Sequence, residues 1–344
     1  MDDVSLGEIT CPSGHLVIVD GGILGMWSAD RSPSELDPAG LGITEPGLLA
    51  EVKGAVDYIV TGPDADEAGR SFGRYPGRYR YDIPATRTAE WVSTVEQKWR
   101  DNGWQATAVA APRQVPHRER ARRCAEERLA GFGVFGLSAV AVGDLPVDRP
   151  LAVRATRAAG EWDGWSEMVV RVSDAPVASS QPVGDIGIDA ARFAFADADA
   201  LSAWQHEDTL DGLADVVFWG AVADEAAAAF GAAKVRLPGE THHGWTDLPL
   251  AEALQRAVEL TAWKDADPAR RFAIDFRPHS HHWQVMAHVR ASDVEAGAIT
   301  VGGARILFAM TGQGDGVFPV WVDRDARDAV VAIRIELGFE DDED

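Results

Sequence analysis

The strongest constraint on the fold of this chain is a repeat. Residues 57–68 can be laid on residues 215–226 without a gap. Each segment runs from an aspartate (Asp57, Asp215) through an apolar run to a glycine (Gly62, Gly220), then to Asp66-Glu67-Ala68 or Asp224-Glu225-Ala226. The likeness continues in the same order. Tyr81-Asp82-Ile83-Pro84 answers Thr246-Asp247-Leu248-Pro249, and each precedes an amphipathic pattern that predicts a helix, at 88–100 and at 250–264. Strand patterns follow at 105–110 and 272–276, then Pro116-His117 and Pro278-His279. Residues 139–143 answer 307–312, residues 148–153 answer 315–320, and each copy closes on a strand, at 168–172 and 330–336. At the front, residues 17–20 are set against 186–189, so the second copy begins near Val183, and the Ser/Pro/Ala-rich stretch 173–182 reads as a linker.

Two long copies mean a doubled domain, since a solenoid needs shorter and more numerous units. Helices mixed with a terminal run of strands predict an α+β fold with mostly antiparallel sheets. The expected architecture is an internal tandem duplication: two similar domains at 1–175 and 183–338 in a pseudo-two-fold arrangement, then an acidic flexible tail at 339–344.

Apolar residues fill 46% of the 344 positions, enough for one large core or two ordinary ones. Asp and Glu number 55 against 32 Lys and Arg, a formal charge of −23. Such a surface repels phosphate backbones and anionic membranes, so neither nucleic acid nor a membrane is expected as partner. It speeds encounter with a basic protein or a cation, although solubility alone accounts for it equally well. Cys11 and Cys124 are too few for a disulfide framework or a cysteine-based zinc site. With no basic-then-apolar leader and no apolar run of ~20 residues, a cytoplasmic location is expected.

Chemistry concentrates in the second copy. His279, His281, His282 and His288 cluster around Trp283 just after Arg277, and His242-His243 precede Gly244-Trp245. At the matching places the first copy keeps only His117, with Glu119 and Arg120 set against His281 and His282. Imidazole is the commonest transition-metal ligand and the readiest proton shuttle near neutral pH. The expected catalytic residues are therefore His281 and His282, with Asp315 of Gly314-Asp315-Gly316 orienting an imidazole. The expected binding residues are His279, Trp283, His288, His242, His243, Trp245 and Arg277. On a helix over 281–289, Trp283, Met286 and Ala287 would form the buried stripe, with His281 and His288 two turns apart on another face. That spacing differs from the one-turn spacing of zinc-protease histidines, and no cofactor is assigned: a divalent metal, a metal-free polar site and a packed structural cluster all stay open. Gly-Asp-Gly reads equally well as a hairpin turn.

Other motifs carry less. Gly69-Arg70-Ser71-Phe72-Gly73 matches the α/β-hydrolase nucleophile pattern, but Ser71 ends a helical pattern and the repeat sets Ala229 opposite it. The basic stretch 113–128 interleaves Glu119, Glu126 and Glu127, which predicts a solvated helix face with internal ion pairs.

Through Ile188-Asp189-Ala190, Arg277-Pro278-His279-Ser280-His281-His282-Trp283 and Gly314-Asp315-Gly316-Val317-Phe318-Pro319-Val320, residues 183–338 resemble uncharacterised proteins of high-GC bacteria. The closing segment is similar to one in a wider family of unknown function, so the resemblance implies no activity. Two functions are expected from the residues. One is a soluble acidic protein-binding or regulatory protein, of the kind an immunity protein exemplifies, engaging a basic partner. The other is a hydrolase acting on a small molecule at a histidine-lined site in the second copy. Monomer and homodimer both stay open.

Overall fold

The computed structural model describes residues 3–36, 45–72, 77–158 and 164–338. The expected acidic tail at 339–344 lies outside them. The protein is a mixed α+β chain with antiparallel sheets, and its contacts divide it into two compact units: Met1–Ala203 with Thr300–Asp344, and Trp204–Ile299. Among the described residues no helix is long and apolar enough to cross a membrane.

The first unit starts with β1 (Asp3–Ile9), β2 (Leu16–Asp20), α1 (Pro46–Gly54), β3 (Val56–Thr61), α2 (Ala65–Arg70), β4 (Tyr79–Ile83), α3 (Thr88–Asp101) and β5 (Thr107–Ala110). It continues through α4 (His117–Glu126), β6 (Phe132–Val134), β7 (Leu137–Val142), β8 (Leu151–Arg157), β9 (Trp165–Arg171), β10 (Ser179–Ile188) and β11 (Arg192–Asp197). The second unit holds β12 (Leu213–Gly220), α5 (Ala223–Phe230), β13 (Ala233–Leu237), β14 (Glu240–Pro249), α6 (Leu250–Asp265), β15 (Phe272–Pro278) and α7 (His281–Arg290). The strand β16 (Ala296–Val301) leads back to the first unit, which ends with β17 (Ala304–Met310), β18 (Gly316–Arg324) and β19 (Val330–Glu336).

Two large sheets build the first unit. One has the order β1-β8-β9-β19-β18-β10; the other runs β17-β11-β2-β7-β6, extended at its β17 edge by β16, whose last residues belong to this unit. All five residues of β2 are buried, as a continuous apolar run in a central strand requires. Its partner β11 is set in a centred register, with Leu16 opposite Asp197, Ile18 opposite Phe195 and Asp20 opposite Phe193. In the other sheet β9 and β19 meet at Val169 and Arg334. The edge strands each carry a bulge at a glycine with positive φ, Gly7 in β1 and Gly184 in β10. A Cβ on Gly184 would sit 1.9 Å from the Ala130 carbonyl oxygen, so no other residue fits there. Phe193 of one sheet meets Phe318 of the other edge to face at 5.4 Å, closing the core between them.

Two stretches expected to correspond lie in different sheets. Residues 17–20 lie in β2, inside the second of these sheets, whereas 186–188 lie in β10 at the edge of the first. Both stretches read as a short apolar run ending in aspartate, and such a run carries no information about which sheet it joins.

A smaller antiparallel sheet, β4-β3-β5, carries α2 and α3 on one face through Val60, Ala65, Ala68, Val95 and Trp99. In the second unit the sheet β13-β14-β12-β15 carries α5 and α6 in the same manner. Strand alternation turns Ala214, Val216 and Phe218 of β12 toward Ala223, Ala226, Ala253, Ala257 and Leu260. Asp215 therefore projects from the opposite face, and so does Asp57 of β3 in the smaller sheet of the first unit.

A candidate acid and imidazole site in the second unit

On the face of β12 away from α5 and α6, Asp215 is the anchor of a polar cluster. A bulge between Ala214 and Val216 shifts the β12–β14 register, and there Asp247 adopts a φ of 56°. Its backbone N–H donates to Asp215 Oδ1 at 2.9 Å, which brings the two carboxylates together. Asp211 comes from the turn before β12, where Oδ1 accepts the Leu213 N–H at 2.9 Å. His279 follows the end of β15. Its Nδ1 is 2.9 Å from Asp211 Oδ2, and its Nε2 is 3.2 Å from Asp215 Oδ1 and 4.0 Å from Asp247 Oδ1.

Partial burial alone would lower the His279 pKa; hydrogen bonds and charges from Asp211 and Asp215 outweigh it and raise the pKa above its ordinary value. The same His279 hydrogen bond, helped by the Leu213 N–H, holds Asp211 below the usual carboxylate range. Among the described residues no lysine or arginine pairs with Asp211, Asp215 or Asp247; His279 is their one titratable cation.

Beside this cluster opens a cavity of about 240 Å³, with Asp215, Arg277, His279, Trp283, Gln284 and Ala287 among its walls. Glu240, also in the wall, ties several cationic side chains together. It binds Arg277, approaches Arg290 at 3.3 Å and lies 2.9 Å from His242 Nε2. Burial alone would raise the Glu240 pKa, and these cationic and hydrogen-bonding neighbours bring it below its ordinary value. Both guanidinium groups lie over the Trp283 ring, at 5.0 and 5.6 Å. The Trp283 Nε1–H is buried and has no acceptor among the described residues.

The other expected site residues are spread over separate tasks. His281 packs on Trp204 with centroids 5.6 Å apart, its Nδ1 accepts the Gln205 N–H at 3.0 Å, and burial lowers its pKa. His282 is buried and stacks on His206 at 4.2 Å. Neither ring is among the walls of the cavity. His288 donates from Nδ1 to the Ala298 carbonyl, and His243 pairs with Asp224 at 2.8 Å. His242 and His243 lie within β14, and His242 stacks on Trp219 at 4.6 Å. Trp245 packs on Phe218 beneath Arg256. Asp315 belongs to the first unit, where it accepts the Ala191 N–H at 3.0 Å in a turn knit by Thr311. The buried stripe of α7 is His282, Val285, Met286 and Val289 instead of Trp283, Met286 and Ala287, and Ser280 caps the helix by accepting the Trp283 N–H. Of the residues named from sequence, Arg277, His279 and Trp283 line the cavity. Asp211, Asp215, Asp247 and Glu240 were not among them.

A parallel arrangement in the first unit has a different occupant. Asp57 accepts the Asp82 N–H at 2.8 Å, and Asp82 has the same φ of 56° as Asp247. Between these carboxylates lies Arg120, fully buried, 2.7 Å from Asp82 and 3.2 Å from Asp57. Its Nε also donates to the Val115 carbonyl at 2.8 Å. Burial alone would lower the guanidinium pKa, and the two aspartates outweigh this and raise it. The buried face of α4, His117-Arg120-Ala121-Cys124, has the spacing of His282-Val285-Met286-Val289 in α7, so on the buried faces Val285, and not His282 as expected from the sequence, stands opposite Arg120.

Neither cysteine offers a nucleophile, since burial pushes Cys11 up to about 12 and Cys124 up to about 11. No family model matches this chain, and neither the curated proteins nor the solved structures include a significant match.

Proposed function

We propose that the chain is an internal duplication whose rear copy acts as a small-molecule hydrolase at His279, Asp215 and Asp247. The duplicated architecture is supported by the sheet orders. Reading β1-β8-β9 against β10-β18-β19, and β6-β7-β2 against β16-β17-β11, makes each sheet a palindrome about its middle. The centred registers at Ile18–Phe195 and Val169–Arg334 and the paired bulges at Gly7 and Gly184 agree with a pseudo-two-fold axis. On this reading β2 answers β11, and β1 answers β10.

One observation carries the functional part: a carboxylate pair that Arg120 closes in the front copy is left, in the rear copy, to an imidazole beside a cavity. Apolar walls with a few converging polar groups suit a small, largely apolar molecule bearing one hydrolysable polar group. The acid–imidazole cluster takes a proton from water as the oxygen adds to the electrophilic centre, and that proton returns to the leaving group as its bond breaks. Trp283, one of the cavity's lining residues, gives the substrate an aromatic wall. Tag-free protein screened against chromogenic esters and phosphoesters should hydrolyse at least one, and Asp215→Asn should abolish most of that rate. Failure across the panel, or equal rates for the variant, sinks the reading.

A partner-binding role has one specific support. Leu250, Leu254 and Val258, each about one turn apart, form an exposed apolar stripe on α6. Such a stripe suits a second copy of this chain. Dilution-dependent dimers in sedimentation, lost in Val258→Asp, would support this role, and a monomer at all concentrations would exclude it.

A further inference from the structure

We propose that Asp215, Asp247 and His279 together bind a divalent first-row cation, Mn²⁺ or Zn²⁺, with Asp211 holding the His279 ring from behind. The proposal deepens the hydrolytic reading of this site and rests on it.

Geometry supplies the first argument. One ligand atom from each of the three residues can be chosen so that all lie within 4.8 Å of one another. Two donors each about 2.1 Å from one ion stand between roughly 2.8 and 4.2 Å apart, according to the angle between them. The His279 Nε2 distances to Asp215 and Asp247, 3.2 and 4.0 Å, fall in that interval. Asp211 on Nδ1 fixes the ring so that Nε2 faces the carboxylates, the carboxylate–imidazole support that metal-ligating histidines ordinarily have.

Charge supplies the second argument, and it comes from elsewhere in the molecule. In the front copy the equivalent aspartates, Asp57 and Asp82, close around the guanidinium of Arg120, so this backbone arrangement accommodates a cation between the two acids. In the rear copy Val285 occupies the equivalent helix position, and three carboxylates face a single imidazole. A divalent ion balances what one imidazole cannot. Asp247 and Asp211, with side chains 74% and 49% exposed, leave the site open to solvent, so an ion can enter.

Donor chemistry narrows the ion. Two carboxylates and one imidazole are harder than the thiolate sets that select copper or clusters, and softer than the all-oxygen cages that hold Ca²⁺. Three protein ligands leave positions for water, the pattern of catalytic rather than structural sites. When bound, the ion lowers the pKa of its water and so supplies the nucleophile at neutral pH.

The test uses full-length, tag-free protein dialysed against chelator and titrated with MnCl₂ and with ZnCl₂ by calorimetry. One ion per chain is expected, with affinity at least about tenfold weaker in Asp247→Asn. This variant should fold, because Asp247 is mostly exposed and asparagine tolerates its positive φ. Asp224→Asn, at the exposed partner of His243, should bind as tightly as the parent. Absence of saturable one-to-one binding, or equal affinity in Asp247→Asn, overturns the site. Hydrolysis in chelator-treated protein, together with no saturable ion binding, overturns the site and leaves the hydrolytic reading standing. Stoichiometric ion binding without hydrolysis supports the site and removes the hydrolytic reading alone.

Discussion

Two parts of this molecule solve the same electrostatic problem in different ways. At β3, Asp57 and Asp82 are sealed around Arg120, which has no exposed side-chain surface and spends its donors on both carboxylates and two backbone carbonyls. At β12, Asp215 and Asp247 share the same backbone contact but face a partly exposed imidazole and a cavity. The first arrangement is a locked brace. The second keeps its charges within reach of solvent and ligand, which suits chemistry better than stability.

The sharpest way to break this contrast is to remove the cationic partner from each side. Arg120→Met leaves two acids buried without their counter-ion and should cost about 3–5 kcal/mol in urea unfolding. His279→Gln should cost no more than about 1 kcal/mol, since its acids retain water. Equal costs would mean that the two sites are not different in kind. Next in size, Asp215→Asn should lower kcat/KM at least ~100-fold on any ester or phosphoester that the protein hydrolyses, with unfolding nearly unchanged. A variant of full activity would break the comparison at its functional end.

Acid should find the first unit before the second. His117 is fully enclosed, its pKa pushed well below the ordinary value by burial and then by the charge of Arg120, while its Nδ1 accepts the Ser28 N–H. Above pH 6.5 the ring is neutral in both folded and unfolded chains. Below that, the unfolded chain takes up a proton that the folded one refuses. Stability is therefore fully present above 6.5 and is lost as pH falls toward the depressed folded value, with a slope of up to about 1.4 kcal/mol per pH unit. His117→Gln should flatten that slope in unfolding measured from pH 7 to pH 5; an unchanged slope assigns the acid sensitivity elsewhere. The smallest effect belongs to the surface. Leu254→Asp on α6 should change stability by no more than about 0.5 kcal/mol, as read by the urea midpoint.

Much of the fold is legible in the residues. The strand expected at 330–336 is β19, and the helices expected at 88–100 and 250–264 are α3 and α6, each extended by one residue. Long amphipathic patterns with a proline nearby leave few alternatives. Short apolar runs leave many, so residues 17–20 and 186–189 read alike although they lie in different sheets. The site was harder for a different reason. The run of histidines at 279–282 looks like one chemical unit, yet α7 sends consecutive side chains in different directions, and Trp204 and His206 take up two of the rings. Asp215 and Asp247 stood in the repeat itself, and their value lay in the difference from Asp57 and Asp82. Arg120 marked that difference but sat in a charged stretch that predicts a solvated face, whereas one of its arginines is wholly interior.

The junction of β9 with β19 has a consequence for biosynthesis. These neighbours in the middle of the six-stranded sheet stand far apart along the polypeptide, with Val169 meeting Arg334. During translation β9 waits with one hydrogen-bonding edge unsatisfied while half of its sheet is still unmade. A ribosome-stalled chain ending before β19 would present that bare edge to other nascent chains, so the hazard for this protein is greatest just before synthesis reaches it.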